Sequence, residues 1–184
     1  RHHVWSRTDT ARSGTPEGCL DPATALQGYV DFAKRATVLF ADRDGGVVES
    51  EHLPLEQLVA KGAVTGSDLE LHLTSLVPHV RPRNFLEVRC FDALPWPDSR
   101  SVVAFISGLV YCPHAFAAAF ELSEPFAIHD RAALAALHEN AARHGLDATG
   151  PDGRTLREIA RQLVAISGST LGGPNCDWSK PEDL

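Results

Sequence analysis

The chain has 184 residues and a formal net charge of -7; 43% of its residues are hydrophobic and 22% are charged. This composition is typical of a globular domain with one core. The negative charge argues against nucleic acid as the main partner, because a phosphate backbone is usually met by a basic surface. No apolar run reaches the length of a membrane span and no signal peptide is recognisable, so no membrane partner is expected.

The sulfur-containing residues give two further expectations. The four cysteines are widely scattered and form no CxxC pair, at Cys19, Cys90, Cys112 and Cys176. This spacing predicts neither a zinc site nor a disulfide framework, and reduced thiols in a cytoplasm are expected. The chain has no methionine, even at position 1, so we expect it to be a piece of a longer protein.

The first predicted elements are helices on either side of a hairpin. Asp21-Pro22 supplies an N-cap and a first-turn proline for a helix whose apolar face includes Leu26. Asp44-Gly45 is a hairpin signal, so short strands are expected before and after it. A short helix is expected over residues 54–60. Ser67 and Glu70 have the spacing of a capping box for the next helix.

The segment from Asn84 to Cys90 alternates in a way that predicts a strand. Phe85, Glu87 and Arg89 then share one face, so an anion and a cation lie side by side. We interpret this segment as a buried core strand. Two solvated charges on the open face of an antiparallel strand would give the same pattern, and that alternative stays open.

Two more arginines precede this strand. Arg81 and Arg83 bring guanidinium groups to its start, and arginine suits the fixed, forked binding of phosphates or carboxylates. Three arginines around Glu87 therefore predict a phosphate-and-metal site. His72 lies nearly two turns before His79, so we expect structural histidines and not a metal pair.

The second half is predicted to be helical. A largely buried helix is expected over residues 101–111, capped by Asp98 or Ser99. Asp130 should begin another helix, and Thr155 the last, which Gly168 should end.

Three blocks of the sequence resemble a known family, and they are Arg1, Trp5, Asp9, Arg12 and Gly14 at fixed spacing; Tyr29-Val30-Asp31-Phe32-Ala33; and His72-Leu73-Thr74, Pro78, Val80-Arg81-Pro82 and Leu86-Glu87-Val88-Arg89. In type, order and spacing they resemble the glutamate-cysteine ligases of plants and actinobacteria, including the branch that feeds ergothioneine synthesis. Separated multi-residue motifs are far more specific than one motif alone.

The resemblance implies an α+β fold. The chain would carry an antiparallel sheet fragment of a glutamine-synthetase-like catalytic domain, with a helical C-terminal half. It would be the C-terminal part of one ligase catalytic domain, with a strand-rich substrate and nucleotide side at 1–95, a helical layer at 96–168 and an irregular tail at 169–184. The missing N-terminal part of the same enzyme would be its partner, and the fragment alone would be inactive.

The implied reaction joins the γ-carboxylate of L-glutamate to the amino group of L-cysteine through a γ-glutamyl phosphate, with ATP and Mg²⁺. By resemblance, Glu87 is a metal ligand, Arg89 is catalytic, and substrate or nucleotide contacts come from Arg1, Thr74, Arg81, Arg83 and Arg89. The Thr74 hydroxyl either faces the substrate or caps its helix. A ligase that uses another amine and a non-catalytic binding module remain as alternatives, and the product would serve glutathione or ergothioneine synthesis.

Overall fold

A computed structural model describes Val4, residues 7–128 and residues 130–171. The chain divides into two compact units, Arg1–Cys90 and Phe91–Leu184. Helices and small sheets are combined, which agrees with the expected α+β class. All strands of the described residues belong to the first unit.

In the first unit, the helices are α1 (Ala25–Arg35), α2 (Leu55–Ala60) and α3 (Gly66–Ser75), and the strands are β1 (Ser13–Gly14), β2 (Phe40–Arg43), β3 (Gly46–Glu49), β4 (Val77–Pro78), β5 (Val80–Pro82) and β6 (Leu86–Val88). The strands form three two-stranded sheets. The β2–β3 and β5–β6 pairs are antiparallel, as expected, whereas β1 and β4 are parallel.

The core of the first unit lies under α1 and α3. Phe32, Ala33, Ala36 and Leu76 are buried together, and Tyr29 and Leu73 pack against them. A second cluster joins the segment before β2 to α2. Leu26 was expected on the buried face of α1 but is 76% exposed, because α1 turns Gly28, Phe32 and Ala33 inward instead.

The hairpin prediction is confirmed. Asp44 and Gly45 connect β2 to β3 with positive φ angles of 54° and 77°. Left-handed conformations at both central residues match the right-handed twist of the flanking strands. The cap of α3 differs from the prediction, because Thr65 and Asp68 form the capping box, two residues before the expected pair.

The prediction of a buried core strand is wrong. The strand β6 has three residues, and Leu86 and Val88 are 69% and 38% exposed. Phe85 is also exposed, at 60%. The charged face is the better covered one, since Arg81 lies opposite Glu87 in the β5–β6 ladder and is 7% exposed.

In the second unit, the helices are α4 (Ser99–Val110), α5 (Pro113–Ser123), α6 (Arg131–His144) and α7 (Leu156–Thr170). Asp130 caps α6 and Thr155 caps α7, as predicted. Gly168 lies inside α7, so the predicted end there is wrong. The Ser167 hydroxyl donates to the Phe105 carbonyl oxygen at 2.9 Å, which holds the last turns of α7 against α4.

The remaining expectations concern the cap and burial of α4, the thiols and membrane spans. Asp98 makes no side-chain cap for α4, and Val103 is 66% exposed, so this helix is less buried than predicted. Cys112 is disulfide-bonded, which corrects the expectation of reduced thiols at that residue. No single helix in the described ranges is long and apolar enough to cross a membrane, although α4 together with Pro113–Phe126, bent by 94°, passes by length and composition.

Candidate functional site

The C-terminal end of α3 is held by a buried arginine of the first motif. Arg12 is 5% exposed, and its guanidinium group donates hydrogen bonds to the carbonyl oxygens of Thr37 and Ser75 and to the Ser75 hydroxyl. Burial is the main cause that lowers the pKa of Arg12, and the Asp9 carboxylate partly opposes it. Because the last carbonyl groups of a helix lack partners within the helix, a cation stabilises this end.

A second buried arginine reaches the same helix end. Nη1 of Arg81 donates to the carbonyl oxygens of Thr74 at 2.8 Å and Leu76 at 3.3 Å. On its other side, Nε of Arg81 donates to Oε2 of Glu87 at 2.8 Å, and Nη2 lies 2.6 Å from the same oxygen. The two sequence motifs therefore meet at the end of α3, one through Arg12 and the other through Arg81.

Glu87 is the centre of what we call the arginine cluster, formed by Arg81, Arg83, Arg89 and Glu87. Nη1 of Arg89 lies 2.7 Å from Oε1 of Glu87, and Nε of Arg83 lies 3.7 Å from Oε2. The Arg83 and Arg89 side chains are 41% and 27% exposed, against 9% for Arg81. Three guanidinium groups around one carboxylate leave an excess of positive charge, and its accessible part suits an anion.

The cluster also fixes the charge of Glu87. The hydrogen bond from Arg81 is the largest cause that lowers the pKa of Glu87, burial opposes it, and the bond from Arg89 adds to the lowering. The carboxylate is therefore ionised at neutral pH. The alternative of two solvated charges on an open strand face does not describe this arrangement, because Glu87 accepts hydrogen bonds at both oxygens.

The other predicted residues are placed as follows. The Thr74 hydroxyl donates to the Leu71 carbonyl oxygen one turn earlier in α3, at 2.7 Å, and its contact with a substrate stays a prediction. His72 is 1% exposed and its Nε2 lies 2.9 Å from the Ala33 carbonyl oxygen, which confirms a structural histidine. Arg1 lies outside the described residues.

The sequence predicted no site role for Tyr29 or Arg12. Tyr29 packs against the core that contains Leu76. Burial raises the pKa of Tyr29, and the nearby charges of Arg81 and Arg83 lower it. The Tyr29 hydroxyl therefore lies within electrostatic reach of the arginine cluster. Membership in the shared motifs was the signal that marked both residues.

The described residues offer Mg²⁺ one carboxylate at this place. No group of three His, Cys, Asp or Glu side chains in the described part of the chain is arranged to hold a metal ion. Oε2 of Glu87 is used by Nε and Nη2 of Arg81, whereas Oε1 accepts from Arg89 and has a further lone pair. Mg²⁺ is often held by one or two carboxylates together with substrate phosphates. Glu87 thus fits a single ligand in a shared site, and the described residues do not form the whole site.

Comparisons with known proteins agree with the family resemblance that the motifs carry. The family model for Glutamate-cysteine ligase family 2 (GCS2) matches residues 1–170. The chain is 30% identical over 174 residues to the chloroplastic glutamate-cysteine ligase of Brassica juncea, which covers 91% of this chain and 33% of the relative. It is 33% identical over 155 residues to the glutamate-cysteine ligase EgtA of Mycolicibacterium smegmatis, covering 79% of this chain and 34% of the relative.

The chain belongs to the glutamate-cysteine ligase family. It spans about a third of the length of the curated relatives it matches.

Proposed function

We propose that this chain is the part of an ATP-dependent glutamate-cysteine ligase that carries the arginine cluster. The reaction would join the γ-carboxylate of L-glutamate to the amino group of L-cysteine and give γ-glutamylcysteine. The observation that carries the proposal is the convergence of two family motifs at the end of α3, where Arg83 and Arg89 present accessible guanidinium groups. A glutamine-synthetase-like sheet in the complete enzyme and a cytoplasmic location belong to the same proposal.

The substrates explain the need for such a cluster. ATP and glutamate are anionic, and cysteine carries an α-carboxylate. The γ-carboxylate of glutamate attacks the terminal phosphorus of ATP to form an acyl phosphate with release of ADP. The unprotonated amino group of cysteine then attacks the acyl carbon and loses one proton, and inorganic phosphate leaves. Arg89 would stabilise the charge on the transferring phosphoryl group, and Arg83 would help to bind the phosphates or a substrate carboxylate. Arg1 and Thr74 remain proposed substrate contacts.

Mg²⁺ would neutralise part of the triphosphate charge and orient its oxygens when it is bound. Glu87 would supply one ligand from this chain. Its role here is to present an ionised carboxylate in a fixed position, which its bonds to Arg81 and Arg89 provide. The remaining ligands would come from the phosphates, water and the part of the enzyme outside this chain.

The test is a binding titration with the 184-residue chain and a turnover assay with the ligase that contains it. We expect ATP and L-glutamate to shift the side-chain NMR signals of Arg83 and Arg89. We expect γ-glutamylcysteine from the ligase and none from the chain alone. Steady ATP-dependent product from the isolated chain would refute the fragment interpretation. A ligase that consumes ATP only with another amine would establish the alternative substrate, and ligand binding without ATP consumption would favour a binding module.

A further inference from the structure

We infer that Arg81 is a positioning residue of the ligase site: it fixes the Glu87 carboxylate to the C-terminal end of α3, and Glu87 in turn orients Arg89. This inference rests on the proposed function, and it changes the role expected for Arg81 from the sequence. A direct substrate contact would need donors that are accessible. The side chain of Arg81 is 9% exposed, against 27% for Arg89.

The contacts of Arg81 carry the argument. All three of its guanidinium nitrogens have partners within the chain, with Nη1 on the carbonyl oxygens of Thr74 and Leu76, and Nε and Nη2 on Oε2 of Glu87. A planar guanidinium group held on both edges transmits position, because neither end can rotate without breaking hydrogen bonds. The donors of Arg81 are thus used within the chain. Through its bonds to Oε2, Arg81 fixes the Glu87 carboxylate so that Oε1 accepts from Arg89.

The other half of the argument concerns Arg89. Its Nη1 lies 2.7 Å from Oε1 of Glu87, and its backbone N–H donates to the His79 carbonyl oxygen at 2.8 Å. The backbone of Arg89 is therefore held at His79, between β4 and β5, while the Glu87 carboxylate directs Nη1 of its guanidinium group. If Glu87 moves, the guanidinium group that would face the substrate loses this contact.

Arg12 provides a matched control. It is a second buried arginine at the same helix end, and it binds the Ser75 and Thr37 carbonyl oxygens without contact to Glu87. Loss of either guanidinium group removes a cation from the helix end. Only the loss of Arg81 should disturb Glu87 and Arg89.

The first experiment follows the guanidinium Nη–H signals of Arg89 by NMR in the ¹⁵N-labelled 184-residue chain. Ion pairing slows rotation of the group, so separate signals are expected in the unchanged chain. Arg81→Met and Arg81→Lys should merge these signals, and Glu87→Gln should do the same. Arg12→Met should leave them separate. Unchanged Arg89 signals in folded Arg81→Lys would overturn the inference, and that variant keeps the positive charge in case Arg81→Met does not fold.

The second experiment measures steady-state kinetics in the ligase. Positioning residues behind a metal ligand typically change metal affinity or activity by about 10- to 100-fold when removed. We expect Arg81→Lys to lower kcat by roughly tenfold and to raise the Mg²⁺ concentration for half-maximal rate, with the KM values for glutamate and cysteine nearly unchanged. An increase in one substrate KM at constant kcat would instead assign Arg81 to substrate binding. Absence of any γ-glutamylcysteine from the unchanged ligase would refute the proposed function, while the NMR result would still decide the positioning role.

Discussion

Both ends of α3 are stabilised by buried charged side chains, an acidic one at the N-terminal end and basic ones at the C-terminal end. At the N-terminal end, Asp68 is 3% exposed and accepts hydrogen bonds from Thr65 and from the Asp42 backbone amide. At the C-terminal end, Arg12 and Arg81 donate to the last carbonyl oxygens. An anion at the start of a helix and a cation at its end both complement the helix dipole.

The difference lies in the balance of charge at each end. At the N-terminal end one carboxylate, Asp68, faces one guanidinium group, and Nη1 of Arg43 lies 2.9 Å from Oδ1; the Arg43 side chain is itself 49% exposed. At the C-terminal end three guanidinium groups share the Glu87 carboxylate, and those of Arg83 and Arg89 are partly exposed. We call the balanced end closed and the end with excess positive charge open, and it is for the open end that we propose a ligand.

The largest expected effect concerns Glu87, at the open end. Glu87→Gln keeps the size of the side chain but removes its negative charge, so ATP turnover by the ligase should fall roughly 10²- to 10³-fold. High Mg²⁺ should recover part of the loss, because the remaining ligands still bind the ion weakly. Turnover is to be measured across a Mg²⁺ series, with Glu70→Gln on the exposed side of α3 as the control. Near-normal turnover at ordinary Mg²⁺, in a protein that melts normally, would rule out the ligand role.

The next effect concerns the structural part of the same end. Arg12→Met leaves the Thr37 and Ser75 carbonyl oxygens without their donor, and we expect a loss of about 3 kcal/mol in the free energy of unfolding. Urea denaturation measures this change. The control is Arg35→Met on the exposed surface of α1, which should change the free energy by less than about 0.5 kcal/mol. Equal small losses in both variants would show that Arg12 does not hold the helix end.

The contrast also explains which features were readable from the sequence. The hairpin at Asp44-Gly45 and the cap at Asp130 depend on neighbours within a few residues, so local patterns predicted them. The cap of α3 was missed because two overlapping pairs, Thr65 with Asp68 and Ser67 with Glu70, both have capping spacing. Local rules do not rank such candidates; the hairpin decides between them by its contact with Asp68.

The burial of Arg12 had no local signal at all. Its acceptors, the carbonyl oxygens of Thr37 and Ser75, lie 25 and 63 residues away along the chain. The arginine cluster was predictable in composition, since Arg81, Arg83, Glu87 and Arg89 are close in sequence. Which side chains of the cluster are buried was not predictable, because strand alternation gives two faces without saying which one the rest of the fold covers.

At the closed end, Asp68→Asn tests whether charge is needed there. Burial raises the pKa of Asp68, but hydrogen bonds outweigh it, led by the Thr65 amide, and lower the pKa from 3.8 to about 2. Because the folded-state pKa is lowered, this stability is fully present above the unfolded-state pKa and disappears as the pH falls through about 2. We expect the variant to lose about 2 kcal/mol at pH 7.

The measurement is urea denaturation at several pH values between 7 and 2. The difference between Asp68→Asn and the unchanged chain should narrow below about pH 4 and be small near pH 2. Glu56→Gln on the exposed side of α2 is the control. A difference that stays constant with pH would mean that the carboxylate contributes by shape and hydrogen bonding and not by its charge.

The smallest effect on stability is expected at the accessible rim of the open end. The Arg83 side chain is 41% exposed and lies 3.7 Å from Glu87, so Arg83→Gln should change the free energy of unfolding by less than about 0.5 kcal/mol, as is usual for exposed ion pairs. The same substitution should weaken ATP binding, because a donor that contributes little to the fold remains available for a ligand. Urea denaturation and a calorimetric ATP titration of the same preparation compare the two quantities. A large loss of stability with unchanged ATP affinity would place Arg83 with Arg12 among the structural arginines. It would also contradict a ligand-binding role for Arg83 at the open end of α3.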